Sequence, residues 1–438
     1  MKTYPAVGVQ SPKILIPADQ IEYEKWAVVA CDQFTSQPEY WNTVEKNVGD
    51  APSSYNLILP EAYLGTQLEQ HHASQINGKM KSYLETGIFQ EIDGLIYVER
   101  HFEGSIRKGL IIALDLEQYD FSSTSHSLIR ATEGTIVDRL PPRIIIRKEA
   151  LIEIPHILVL IDDPEMTVID PIADLTEGLE PLYDFDLMQN SGQIKGFHIV
   201  SPSLEEKILQ ALENLKSQEL QSNKYFTPID TSPLLFAVGD GNHSLATAKA
   251  IWENNKHHLP DDHPSRYALV EVVNLHDESI KFEPIHRLLE RKKDDWLLRI
   301  KTYFGDKLIL NKTSDFPSLI KEVIENQSSS QTFGLFDENG FWVGKIKNPN
   351  HTLTIGSVQN CLDDLISHDH IKEVDYIHGS EAILELGTAK GNAGIYLPAL
   401  KKESFFQSVI KDGALPRKTF SMGEAYQKRF YLECRKIK

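Results

Sequence analysis

The stretch LLFAVGDGNHSLATAKAIWENN, residues 234–255, reads as strand, turn and helix. Leu234 to Val238 is an apolar run bounded by Pro233 and Gly239, too short for a helix and suited to a buried strand. Gly239 and Gly241 permit backbone angles closed to other residues, and Asn242 or Ser244 can cap an amphipathic helix that begins near His243. A helix amino terminus carries unpaired N–H groups and about half a positive charge, so this one is a candidate anion site. Ordinary capping explains part of the pattern. The density of Asp240, Asn242, His243 and Ser244 exceeds what a link between two buried elements needs, which points to chemistry.

On either side of this stretch, the signals are those of a mixed fold. Trp26–Cys31 reads as a strand whose polar end, Asp32, either faces a site or caps the following helix, and the capping role fits a helix near Pro38–Val48. YNLIL at 55–59 reads as a strand, and 61–86 as a polar helix. GLIYVERHF and IRKGLIIALDL flank a tight turn at Glu103–Ser105 and predict an antiparallel hairpin. RATEGTIVDR, residues 130–139, packs Arg130, Glu133, Thr135, Asp138 and Arg139 closely, and Pro141–Pro142 is expected to stop any helix there. SQELQSNKYFTP at 217–228 reads as a polar linker. TFGLFDENGFWVGKIK predicts a second hairpin with Asn339–Gly340 at its tip, and EVDYIHGSEAILELG a second strand, glycine turn and helix carrying His378 and Glu381. Hairpins mixed with helices, without sustained βαβ alternation, give an α+β fold with mixed, largely antiparallel sheets and flanking helices. The expected regions are 1–220, 221–300 with the central turn, and 301–438.

The 438 residues suffice for two or three domains, and 41% hydrophobic content suits packed cores. A net charge of −18 makes the average surface repel polyanions, which argues against nucleic-acid partners. Basic residues cluster only locally, at 139–148 and in PRKTF and QKR at 416–429, and these are candidate anion sites. No apolar run reaches membrane-spanning length and the start lacks a signal-peptide layout, so no membrane partner and a cytoplasmic location are expected. Cys31, Cys361 and Cys434 form no CxxC pair, in keeping with a reducing compartment.

GDGNHSLATA resembles the DGHHR-type signature of the domain-of-unknown-function 1015 family, itself similar to the phosphate-binding box of the ParB–sulfiredoxin group with its free serine kinases. ACDQFTS, YNLILPE, RATEGTIVDR, VDYIHGSEA and GALPRKTFSMGEAYQKRFY follow in the family's order across almost the whole chain. The family pattern has an arginine after the histidine where this chain has Ser244, so another cation replaces it or phosphate is held less tightly.

The resemblance implies a nucleotide-dependent small-molecule kinase acting on an alcohol such as a free hydroxy amino acid, using Mg²⁺ with ATP or ADP. In this reading Gly239, Gly241, Asn242, His243 and Ser244 cradle phosphates, Asp240 holds Mg²⁺, Glu133 is the general base, and Arg139 with Arg417 or Lys418 neutralises the transferred phosphate. Arg266 is another cation that could supply the missing charge. Two alternatives stay open: a nucleotide-responsive binding protein without chemistry, and a metal-dependent hydrolase using His243, His378 and nearby carboxylates. Oligomeric state is not legible.

Overall fold

The computed structural model describes residues 1–134, 140–176, 178–327 and 330–438. The chain divides into two compact units, one formed by Met1–Ile280 with Gly423–Lys438 and the other by Lys281–Met422. This differs from the three regions expected from composition. The central turn belongs with the N-terminal residues because its strand pairs with theirs, and the soft boundary near 220 falls inside a helix, Gln218–Tyr225, capped by Ser217.

The first unit is built on a large mixed sheet. Its main path runs Tyr183–Asp186, Gln193–Ile199, Leu95–Phe102, Ser105–Asp115, Tyr267–Asn274, Leu158–Ile161, Phe236–Asp240, Ile129–Ala131, Tyr119–Asp120. The first five are antiparallel neighbours, including the predicted hairpin, which turns between Phe102 and Ser105. Leu158–Ile161 lies parallel to Tyr267–Asn274 but antiparallel to Phe236–Asp240, which in turn is parallel to Ile129–Ala131. Both faces are covered, as the twofold alternation of side chains shows. Ile111 and Leu269 pack with Trp26, Trp41 and Met80 on one face, while Ile112, Ala268 and Val270 pack with Phe236, Leu245 and Trp252 on the other.

Four expectations fail here for local reasons. YNLIL contains a 3₁₀ turn, Ser54–Leu57, because the Ser53 hydroxyl accepts from the Tyr55 N–H. Pro141 and Pro142 sit in the first turn of a helix, Leu140–Glu149, where their missing N–H groups cost nothing. The segment 217–228 is mostly the short helix Gln218–Tyr225 rather than a linker. The helix Pro38–Val48 takes Gln37 as its N-cap, so Asp32 caps nothing there.

The second unit holds an antiparallel sheet in the order Leu308–Thr313, Gly340–Ile346, Gln331–Asp337, Ala393–Tyr396, Phe282–Glu290, Glu373–His378, with Phe420–Met422 also pairing to Phe282–Glu290. The predicted second hairpin is there, with Asp337 opposite Gly340 and Glu338–Asn339 at the tip, one residue earlier than expected. The strand, Gly379 turn and helix Ser380–Gly387 also form as expected. α+β with mixed, mostly antiparallel sheets is the fold class.

Candidate functional site

The central strand is Phe236–Asp240, two residues further along than expected, so Gly239 and Asp240 close the strand rather than open the turn. Gly241 alone makes the turn. Its φ is +79°, a backbone conformation that side chains rarely adopt, and a Cβ there would lie 3.0 Å from the Cα of Ile157, so that segment would have to give way to any side chain. Gly241 is also the N-cap of the helix Asn242–Asn255, and as a glycine it brings no side chain to cap it. Neither Asn242 nor Ser244 takes the expected capping role. The Asn242 Oδ1 instead accepts from the Thr132 N–H at 3.2 Å, while the Thr132 hydroxyl donates to the Val238 carbonyl. The helix thus begins without an acceptor from its own N-cap residue, with His243 and Ser244 half-buried in its first turn.

Thr132 follows the strand Ile129–Ala131, whose Ala131 lies opposite Val238 in parallel register. The two chains therefore leave the sheet at the same edge, and Glu133, half-buried, emerges beside the edge where Asp240 ends. Arg139 lies outside the described residues. Arg417 and Lys418 are exposed residues of the second unit. Arg266 is committed to Asp115 through two hydrogen bonds of 2.9 and 2.7 Å.

Among the described residues, Lys428 places a cation beside the turn. Its Nζ lies 3.2 Å from the Asp240 Oδ2, with the two side chains 11% and 20% exposed, and the Asp240 Oδ1 accepts from the Gly241 N–H at 2.9 Å. Burial alone would raise the Asp240 pKa. The Lys428 ammonium, then His156 and the two hydrogen bonds, outweigh burial and hold this carboxyl below its usual range. His156 precedes the strand Leu158–Ile161; its Nδ1 lies 2.8 Å from the Tyr431 hydroxyl and its Nε2 4.0 Å from the Asp32 Oδ2. Asp32 therefore faces this cluster, contrary to the capping role.

Lys428 is delivered by a clamp of buried charge. The Arg429 guanidinium binds Glu271 and Glu433 at 2.5 and 2.6 Å, Arg107 donates to the Gln427 carbonyl at 2.8 Å, and Arg100 to the Tyr426 carbonyl at 3.0 Å. Glu271 fits because Gly109, two residues along the facing strand from its partner Ile111, has no side chain: a Cβ would come 2.6 Å from a carboxylate oxygen. Sequence reasoning marks the QKR cluster as a local anion site but selects Arg417 and Lys418 from the same tail. It misses His156 altogether, for which the only signal is an imidazole between Pro155 and a buried strand.

The arrangement offers a helix amino terminus, an ammonium, an imidazole and three carboxylates, suited to holding an anion and moving a proton. His378, paired with His243 in the hydrolase alternative, is exposed in the second unit, and among the described residues no three His, Cys, Asp or Glu side chains are arranged to hold a metal ion. Among the described residues no helix is long and apolar enough to cross a membrane.

The family model described as Protein of unknown function (DUF1015) matches residues 15–365. No curated protein matches. Among solved structures, a free serine kinase in complex with ADP is 11% identical and aligns over 75% of this chain and 92% of its own, with a TM-score of 0.40. A conserved hypothetical protein from Pyrococcus furiosus is 12% identical over 73% and 93% of the two chains, with a TM-score of 0.36. SbnI from Staphylococcus aureus, with a C-terminal truncation, is 9% identical over 72% and 83%, also at 0.36. Likenesses as distant as these carry no argument about activity.

Proposed function

The chain belongs to the DUF1015 family, and from the geometry of its central turn we propose that it is a nucleotide-dependent small-molecule kinase acting on an alcohol such as a free hydroxy amino acid. The observation that carries this reading is the helix amino terminus that follows the Gly241 turn, with the Lys428 ammonium held beside it by Asp240. A terminal phosphate of ADP or ATP would lie against the first turn, Asn242 to Ser244. Lys428 stands in for the arginine that Ser244 replaces. An ammonium has three N–H donors, and Asp240 takes one.

The donor set fits phosphate better than Mg²⁺. Both Asp240 oxygens are engaged, one by Lys428 and one by the Gly241 N–H, so a metal at this carboxylate would have to displace the ammonium. In this reading Asp240 positions Lys428, and no step passes through a metal. Glu133 is the general base: it takes the acceptor's hydroxyl proton while the acceptor oxygen bonds to phosphorus and the bond from phosphorus to the nucleotide oxygen breaks. Lys428 neutralises the charge on the transferred group.

A second reading is favoured by one observation, the pairing of Lys428 with Asp240, which leaves the turn's cation partly neutralised; this is a nucleotide-responsive protein that binds without chemistry. Calorimetric titration with ADP and ATP, followed by turnover assays across a panel of alcohols and hydroxy amino acids, separates the two. Binding with phosphoryl transfer supports the kinase, and binding without transfer to any acceptor supports the sensor. Absence of binding to either nucleotide overturns both.

A further inference from the structure

The second unit contains a cavity of about 390 Å³, at the small end of ligand pockets. Its wall includes Asp363, Asp412, Arg417 and Tyr376, with Leu415 and Pro416 as apolar surface. Behind the wall is Arg287, fully buried on the strand Phe282–Glu290, its guanidinium carbon 4.6 Å from the Tyr376 ring centroid. Arg287 donates to the Gln359 Oε1 at 3.0 Å and to the Arg417 carbonyl at 3.2 Å, and the Gln359 amide donates to the Asp363 Oδ1 at 2.9 Å. One buried guanidinium thus fixes both the Asp363 carboxylate and the backbone of Arg417.

Asp363 and Asp412 each spend one oxygen on the protein, the latter on the Thr352 N–H at 2.6 Å. The Arg417 side chain forms no hydrogen bond or ion pair with any described residue, though two carboxylates line the same cavity. Ordinary exposed charges would simply face water. Here opposite charges share one cavity, held apart by a wall whose shape is set from behind, beside an apolar strip.

We propose that this cavity binds a small zwitterion of the α-amino acid class. The ligand's carboxylate takes the Arg417 fork, its ammonium takes the outward oxygens of Asp363 and Asp412, and its side chain lies on Leu415 and Pro416. The inference concerns the second unit alone and does not rest on the phosphate reading of the first.

Calorimetric titration of the full chain, without nucleotide, with a panel of α-amino acids, their matched amines and their matched carboxylic acids tests it. Amino acids are expected to bind, and removal of either ligand charge to weaken binding at least about tenfold. Arg417→Ala and Asp363→Asn should each lower affinity about ten- to a hundred-fold with unchanged thermal midpoints, since both side chains are exposed. The proposal is overturned if amines or acids alone bind as well as amino acids, if folded Arg417→Ala and Asp363→Asn bind like wild type, or if no panel member binds up to ~10 mM.

Discussion

Lys428→Met would keep the length and apolar stem of the side chain while deleting the cation at 3.2 Å from Asp240. Removing one partner of a fully buried pair costs about 3–5 kcal/mol, and exposed pairs contribute roughly 0–1. With the two side chains 11% and 20% exposed, the expected loss at pH 7 is about 2 kcal/mol after discounting for screening. The loss should depend on pH in a definite sense. In wild type the Asp240 pKa is depressed below the unfolded value of about 3.9, so its stabilising contribution is present above that pH and disappears as pH falls through the folded pKa. Without Lys428, only His156 and the Gly241 N–H still oppose burial, so the folded pKa rises and the carboxylate contributes less at neutral pH. The difference vanishes once pH has fallen far enough for Asp240 to be protonated in both proteins. Urea titrations of both proteins from pH 7 downwards through the carboxylate range should therefore show the gap closing on acidification. A double-mutant cycle with Asp240→Asn should return a coupling of about 1–2 kcal/mol. A gap that is the same at every pH, or additivity within about 0.5 kcal/mol, would refute the claim that Lys428 acts through Asp240.

Gly241→Ala should cost about 1–2 kcal/mol from its left-handed backbone, with more from the approach to Ile157, and under the kinase reading should also weaken ADP binding; thermal melts and calorimetry measure the two effects. Glu271→Gln leaves Arg429 and Arg107 short of a buried counter-charge and is expected to destabilise by about 3–5 kcal/mol, read by urea unfolding; a loss under about 1 kcal/mol would mean the clamp is not energetically coupled. Ser244→Arg should tighten ADP by less than about tenfold in wild type, since Lys428 already supplies a cation, and by more in a Lys428→Met background. Equal gains in both backgrounds would show that the two cations do not serve one site.

What the sequence discloses is whatever local periodicity and turn chemistry decide. The hairpin Leu95–Asp115 alternates side chains between two cores, and the Gly241 turn needs a positive φ and a vacant Cβ, both written in its residue types. Where tertiary partners compete, sequence reading misses by small and explicable amounts. The strand at 236–240 reads two residues early because Gly239 and Asp240 look like turn residues, yet Asp240 pairs with Leu158 across the antiparallel neighbour. Pro141 and Pro142 read as breakers, whereas their position in a helix's first turn makes them acceptable. Asp32 reads as a cap for a helix whose N-cap is Gln37, because nothing local announces His156, more than a hundred residues away, as its neighbour.

The harder loss is the meaning of charge. In a chain of net charge −18, Arg and Glu read as solvated surface, yet Arg100, Arg429, Glu271 and Glu433 are all nearly inaccessible. Buried arginines are costly to desolvate, and burial brings the Arg100 pKa down to about 9, with Arg107 adding to the effect. Their partners show what that cost secures: the backbone carbonyls of Tyr426 and Gln427 and the Arg429 side chain, that is, the returning tail. The tail rejoins the first unit only after the 142 residues of Lys281–Met422 have folded elsewhere, so no window of sequence could reveal that Lys428 belongs beside Asp240. Fixing the tail fixes Lys428, and fixing Lys428 places a cation at the turn where Ser244 brings none.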